Sequence, residues 1–265
     1  MVAEAVARLR VAPEEQVEEF LAEVEDWTSR EPLPAAPEAP RPASPPADRA
    51  RYVRPPLPAR VHRTPEGDPV SPRGDRWGAE GPPEDAYGAV SHPERFAGLH
   101  LVAAALVEHL VSVYDVDTET DLSCAADLLW RPDDVVAATR LTPRRPDAAP
   151  LTIVLTGFPG VVVHAGVLMD MPFPVCGCDA CDETAESEAE RLEQFVPAVA
   201  AGAFAEHYPV GSRRWYQSAW PAADGSGESS GGSEPATDSP DRLRQAEDRL
   251  AALPGGWRPW PVRRA

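Results

Sequence analysis

The sequence predicts an α+β fold: a small antiparallel sheet packed against two main helices, with disordered Pro-rich and Gly/Ser-rich segments outside it. Three observations carry this expectation. A helical apolar stripe precedes several short Val-, Leu- and Thr-rich runs and a second stripe follows them, an order that suits helices gathered on one face of an antiparallel sheet. Of 32 prolines, 15 lie between Glu31 and Pro83 among Ala, Arg and Ser, a composition that buries too little apolar surface to offset its ordering entropy. A second low-complexity run, Ala222 to Thr237, is rich in Gly and Ser and reads as flexible. The chain thus divides into an N-terminal amphipathic helix (1–30), a Pro-rich linker (31–83), a compact domain (84–220), a Gly/Ser linker (221–238) and a C-terminal helix with a Trp-Pro tail (239–265).

The first helix is expected over Pro13 to Trp27. Val17, Phe20, Leu21, Val24 and Trp27 form a stripe, with Glu14 and Glu15 placed to complement the N-terminal dipole. It either docks on the core or binds a partner. Ser91-His92-Pro93-Glu94 then reads as a capping box ahead of Phe96, Leu99, Ala103, Leu106, Leu110 and Tyr114. Runs at Val135–Leu141, Leu151–Phe158 and Val161–Leu168, punctuated by Pro143, Pro146 and Pro150, read as strands. Phe158-Pro159-Gly160-Val161 has the Pro and Gly of a type II turn. A two-residue loop there pairs Leu155 with His164 and Ile153 with Gly166. A second helix is expected from Ala185 to His207, kinked at Pro197, with an acidic first half. The last helix, Pro240 to Leu253, takes Ser239 as its cap and is followed by a tail displaying Trp257 and Trp260.

Composition excludes several chemistries. The 25 basic residues are all Arg, and there is no Lys, no Asn and one Ile, the codon bias of a high-GC bacterial genome. Without Lys there is no Schiff base to a cofactor and no phosphate-loop or kinase lysine. Residues 84–220 hold 8 Arg against 21 acids within a net charge of −18, which repels a phosphate backbone and argues against nucleic-acid binding. No signal peptide and no run of about 18 uninterrupted apolar residues is visible. We therefore expect no membrane association and a cytoplasmic location, where four cysteines serve as thiols or metal ligands rather than disulfides.

Three of the four cysteines form Cys176-Gly177-Cys178-Asp179-Ala180-Cys181, followed by Asp182-Glu183. In extended chain Cys176 and Cys178 point to one side, and a turn through Asp179-Ala180 returns Cys181 toward them. Three convergent sulfurs suit a tetrahedral thiophilic cation, zinc above all, with one more ligand required. Cys124 and His164 are the distant candidates for it, and Asp182, Asp179 and Glu183 the local ones. A redox pair, Cys178 and Cys181 at a helix start, is the rival, opposed by the neighbouring carboxylates, which disfavour a thiolate and favour a cation. The bland alternative is buried small cysteines. A zinc-deaminase reading of His92-Pro93-Glu94 with Cys178 and Cys181 fails, since Gly177 stands where that motif has Pro and Glu94 serves as a cap. His100 and His109 carry no partner motif and read as structural.

The stretch Leu151 to Glu183, with Gly-Phe-Pro-Gly and Cys-Gly-Cys-Asp-Ala-Cys-Asp-Glu, resembles an uncharacterised actinobacterial family known only as a domain of unknown function. His-Pro-Glu-Arg-Phe and the closing Gly-Gly-Trp-x-Pro-Trp-Pro are similar to it too, so the resemblance covers about Tyr87 to Pro261. It implies no activity and no functional residues. The function expected is a non-enzymatic cytoplasmic binding protein with a structural zinc at Cys176, Cys178 and Cys181, its terminal segments contacting a protein partner because Trp favours binding hot spots. The alternative is a thiol- or metal-dependent enzyme centred on the same cysteines.

Overall fold

In the computed structural model the described residues are 38, 40–43, 51–58, 63, 76–221, 227–229, 233–237 and 239–264, all in one unit, Ala35–Ala265. The helix expected at Pro13–Trp27, much of the Pro-rich stretch and most of the Gly/Ser run lie outside them. The fold is α+β.

The apolar stripe that begins at Phe96 forms a short 3-10 turn, Pro93–Phe96, and then α1, Gly98–Val113. Phe96, Leu99, Val102, Leu106 and Leu110 are almost wholly withdrawn from solvent, each worth about 1.5–3 kcal/mol of burial. The expected capping box is not formed. His92 takes the cap position with a φ of 56° and no side-chain cap bond. The Ser91 N–H instead donates to Asp179 Oδ1 at 3.0 Å, and Glu94 pairs with His92. A distant carboxylate has claimed the group that the local motif would have used.

Five strands follow as an antiparallel meander in chain order: β1 (Val116–Thr120), β2 (Val135–Pro143), β3 (Leu151–Thr156), β4 (Val161–Ala165) and β5 (Met169–Phe173). The sequence reading anticipated three of them. The hairpin between β3 and β4 has a different register from the expected one: Leu155 faces Val161, Ile153 faces Val163 and Thr152 faces His164. The connection is longer than two residues. Thr156 N–H donates to the Gly160 carbonyl at 3.1 Å, and Asp134 accepts the Phe158 N–H at 2.6 Å. Gly160 is not in the left-handed region that a type II turn requires. Its glycine has another cause, since a Cβ there would lie 3.0 Å from the Phe173 carbonyl.

α2 spans Ala185–Ala200, capped by Thr184 and Ser187, which exchange backbone and side-chain hydrogen bonds. The expected continuation to His207 is replaced by a strand. Gly202, at φ +70°, ends the helix, and Ala203 N–H closes back on the Ala198 carbonyl at 2.9 Å. The chain then forms β6 (Ala205–Val210), which pairs with β7 (Trp215–Pro221), and β7 pairs with β8 (Gly227–Ser229) in a second antiparallel sheet. The last helix, α3 (Pro240–Ala251), has the expected Ser239 cap. Leu151, Ile153, Val163, Phe173, Leu192 and Phe195 meet in the core that joins the first sheet to α1 and α2.

The tail is not displayed. Trp257 and Trp260 are 4% and 2% exposed. Trp260 Nε1 donates to the Ala149 carbonyl at 2.8 Å, and Trp257 Nε1 to Glu206 at 2.9 Å. The expectation of a displayed tail is therefore corrected: Trp257 and Trp260 fill the core of their own chain. Part of the Pro-rich stretch is likewise packed, with Tyr52 and Leu57 against the core. Pro93–Val113 is, among the described residues, the one helical stretch long and apolar enough to cross a membrane. Its apolar face is the one already buried beneath the first sheet.

A polar row crosses the other face of that sheet: Glu119, Arg140, Thr152, His164 and Asp170 are successive partners across all five strands. Asp127, from the 3-10 turn Leu122–Asp127, accepts two Arg140 hydrogen bonds at 2.6 and 2.7 Å and one from Thr152 at 2.5 Å. Burial pushes the Asp127 carboxyl up, but the bonds from Arg140 and Thr152 more than offset this, and the net direction is down. A depressed carboxylate stabilises the fold above its ordinary value near 3.8 and loses that contribution as pH falls through the lower folded value. Asp127→Asn should therefore destabilise the protein at pH 6, with the gap from wild type closing below about pH 4, as denaturant melts at several pH values would show.

Candidate metal centre

The cysteines lie on the connection between β5 and α2. Its backbone is held from both ends. Glu183 accepts the N–H groups of Val175, Cys176 and Gly177 at 3.1, 3.0 and 2.6 Å, so one carboxylate organises the turn that carries the first sulfur. Gly177 has a φ of +76°, and a Cβ there would lie 2.8 Å from the Phe158 ring, so this position requires glycine on two counts. Asp179 N–H donates to the Ala89 carbonyl at 2.8 Å and Ala180 N–H to Ala86 at 3.1 Å, pinning the second half of the loop to the segment before α1. Arg95 completes the clasp, donating to the Gly177 carbonyl at 2.9 Å and to Asp179 at 3.3 Å.

This scaffold brings the sulfurs of Cys176, Cys178 and Cys181 within 4.8 Å of one another. Tetrahedral zinc with bonds of about 2.3 Å needs sulfurs about 3.8 Å apart. The loop is thus within a small adjustment of that geometry. Cys178 is buried while Cys176 and Cys181 are exposed, so a bound ion would be reached from solvent. The Cys178 thiol is pulled down to about 7, chiefly by a hydrogen bond from Cys176 and next by the Cys181 backbone N–H, with Gly88 adding another. Cys181 is pushed up to about 12, chiefly by its hydrogen bond with Cys178 and then with Cys176. One sulfur thus gathers donors from its neighbours, the role a cation would take over.

The fourth-ligand candidates are placed elsewhere. Cys124 is fully buried on the far face of the first sheet with Ala125, Leu128, Ala138 and Val154. His164 Nδ1 pairs with Asp170 Oδ1 at 2.6 Å. Asp182 accepts the Arg76 N–H at 2.7 Å, and Asp179 faces Ser91, Arg95 and Arg76. Among the described residues no His, Cys, Asp or Glu joins the three cysteines. The carboxylates expected to attract a cation and repel a thiolate are engaged with backbone N–H groups and arginines instead. Asp179 shows this in its net downward shift, where Ser91, Arg95 and Arg76 outweigh burial. His92 and Glu94, the pair that mimics a deaminase motif, bond to each other at 3.0 Å and are not among the residues grouped with the three sulfurs.

Residues 58–264 match a family of unknown function (DUF6226). The chain belongs to that family. The family region starts earlier than the resemblance at Tyr87 suggested and takes in the cysteine loop, both main helices and the tryptophan tail. No curated protein and no solved structure matches the chain. Sequence reasoning missed Arg95 and Arg76, and it gave Glu183 only the role of a fourth-ligand candidate, not that of acceptor for the Val175, Cys176 and Gly177 N–H groups. That role of Glu183 could have been found from its place immediately before the helix cap, where a carboxylate can take the free N–H groups of a preceding turn.

Proposed function

We propose that the chain is a non-enzymatic binding protein whose loop between β5 and α2 carries a zinc ion on Cys176, Cys178 and Cys181. The observation that carries this reading is the convergence of three sulfurs within 4.8 Å on a loop already ordered by Glu183 and Arg95. Zinc fits better than a hard cation because the donor set is sulfur alone. Cysteines used as metal ligands rather than as disulfides fit a cytoplasmic location. With Trp257 and Trp260 in the core, partner contact falls to the Pro13–Trp27 stripe.

Cobalt substitution tests the ligand set. Adding Co²⁺ to metal-free protein should give thiolate-to-metal charge-transfer absorption in wild type and weaken or remove it in Cys178→Ser. Identical spectra in the two proteins would refute the assignment. The enzyme alternative has the hydrogen bonding at Cys178 in its favour, since Cys176 and the backbones of Cys181 and Gly88 all favour its thiolate. It predicts fast alkylation of Cys178 at pH 7 that excess zinc does not slow, whereas a zinc ligand is protected by the metal.

A further inference from the structure

Residues 51–58, Arg-Tyr-Val-Arg-Pro-Pro-Leu-Pro, form a strap without helix or strand, with Tyr52, Arg54, Pro55 and Leu57 half-buried and the rest exposed. Between described residues, no backbone–backbone hydrogen bond involves the strap, so side chains hold it. Tyr52 donates to Glu193 Oε1 at 2.7 Å and sets its ring edge-on to His109, with centroids 5.7 Å apart. Arg54 binds Glu193 through Nε, at 3.0 and 2.8 Å to the two oxygens, and through NH2, and its NH1 lies 4.0 Å from Glu190. Leu57 packs over the first residue of α1, where a Cβ on Gly98 would come within 2.9 Å of it. His109 and Gly98 belong to α1, and Glu190 and Glu193 to α2. The strap therefore covers the groove between these helices.

The groove and the strap have different standing in the chain. The family region begins at residue 58, so all four groove residues lie inside it while Tyr52, Arg54 and Leu57 lie outside. The charges are complementary, an arginine strap on the acidic face of α2. The contacts are those by which aromatic, cationic and aliphatic anchors hold an extended Pro-rich peptide.

We propose that the α1/α2 groove is a recognition site for an extended partner segment with the pattern Tyr-x-Arg-Pro-x-Leu, and that residues 52–57 occupy it in cis and exclude that partner. A tethered strap competes at an effective concentration of about millimolar, and affinity in trans is scaled down to the fraction of time the groove is open.

The test uses the full chain and a labelled peptide of residues 50–59. Tyr52→Ala/Arg54→Ala, which frees the groove, should bind the peptide saturably and at least tenfold more tightly than wild type. Glu193→Arg in that background should abolish binding, and a peptide with Arg54→Glu should restore it, a rescue that a purely structural role for Glu193 does not predict. If the double variant loses its cooperative melt, Arg54→Glu in the full chain provides the same comparison with Tyr52 and Leu57 retained. Equal binding to wild type and freed chain, no binding to the freed chain, or indifference to Glu193→Arg would each overturn the proposal. A concentration-dependent dimer of wild type that Arg54→Glu abolishes would assign the groove to a second copy and overturn the partner assignment.

Discussion

Glu206→Ala is expected to lower stability by about 4 kcal/mol or more, the largest single-residue effect in the fold. Glu206 sits on β6, fully enclosed, and its two oxygens serve four donors. These are the N–H groups of Val167 and Leu168, each at 3.0 Å, the Trp257 indole at 2.9 Å and the Tyr216 hydroxyl at 3.1 Å. Burial pushes this carboxyl up from its ordinary value, opposed by the Leu168, Trp257 and Val167 donors. Removing it strands up to four buried donors, at about 1–3 kcal/mol for each one that water cannot reach. The turn between β4 and β5 and the C-terminal tail lose their common anchor together. The expected drop in Tm is about 10 °C, measured by thermal melts, with Glu206→Gln intermediate because it keeps one acceptor. Gly166 belongs to the same arrangement. It has a φ of +66°, and a Cβ there would fall 1.8 Å from Glu206 Oε2, so the carboxylate occupies the space a side chain would need. A Glu206→Ala protein that melts like wild type would remove this carboxylate from the account of the core.

Glu183→Ala is expected to weaken metal binding about 10- to 100-fold without removing a sulfur. Its carboxylate fixes three consecutive N–H groups around Cys176, and without them the loop must be ordered by the ion itself. Competition with a chromophoric chelator measures the affinity. Glu183→Gln should fall between, since a single amide oxygen can keep only part of the set. Unchanged affinity in Glu183→Ala would mean that the loop is not organised in advance of the metal.

The parts of the fold legible in the sequence are those specified by near neighbours. The periodic stripes of α1, α2 and α3 were readable, as were three Val-rich strands and the Ser239 cap of α3. The convergence of Cys176, Cys178 and Cys181 was readable for the same reason, because it depends on six consecutive residues. What escaped depends on partners far along the chain. The Ser91 N–H bonds Asp179 88 residues away, which cancels a local capping box. Gly160 serves a close approach to Phe173 rather than a type II turn, and the hairpin register changes with it. Gly-Gly-Trp-x-Pro-Trp-Pro has the composition of an exposed tail. Its indoles nevertheless bond Glu206 and Ala149 at separations of 51 and 111 residues. The acids beside the cysteines were visible in sequence, but their hydrogen-bonded partners, which decide their electrostatic role, were not.

The central claim is that three thiolates hold one ion, and metal content tests it most directly. Full-length protein purified without chelator should contain about one zinc per chain. Cys178→Ser should contain little, and its Tm should fall toward that of chelator-treated wild type, since an ion bound only by the folded state stabilises it by mass action. Zinc-free wild type that takes up no added zinc and melts at the same temperature as Cys178→Ser, with and without chelator, would contradict the account.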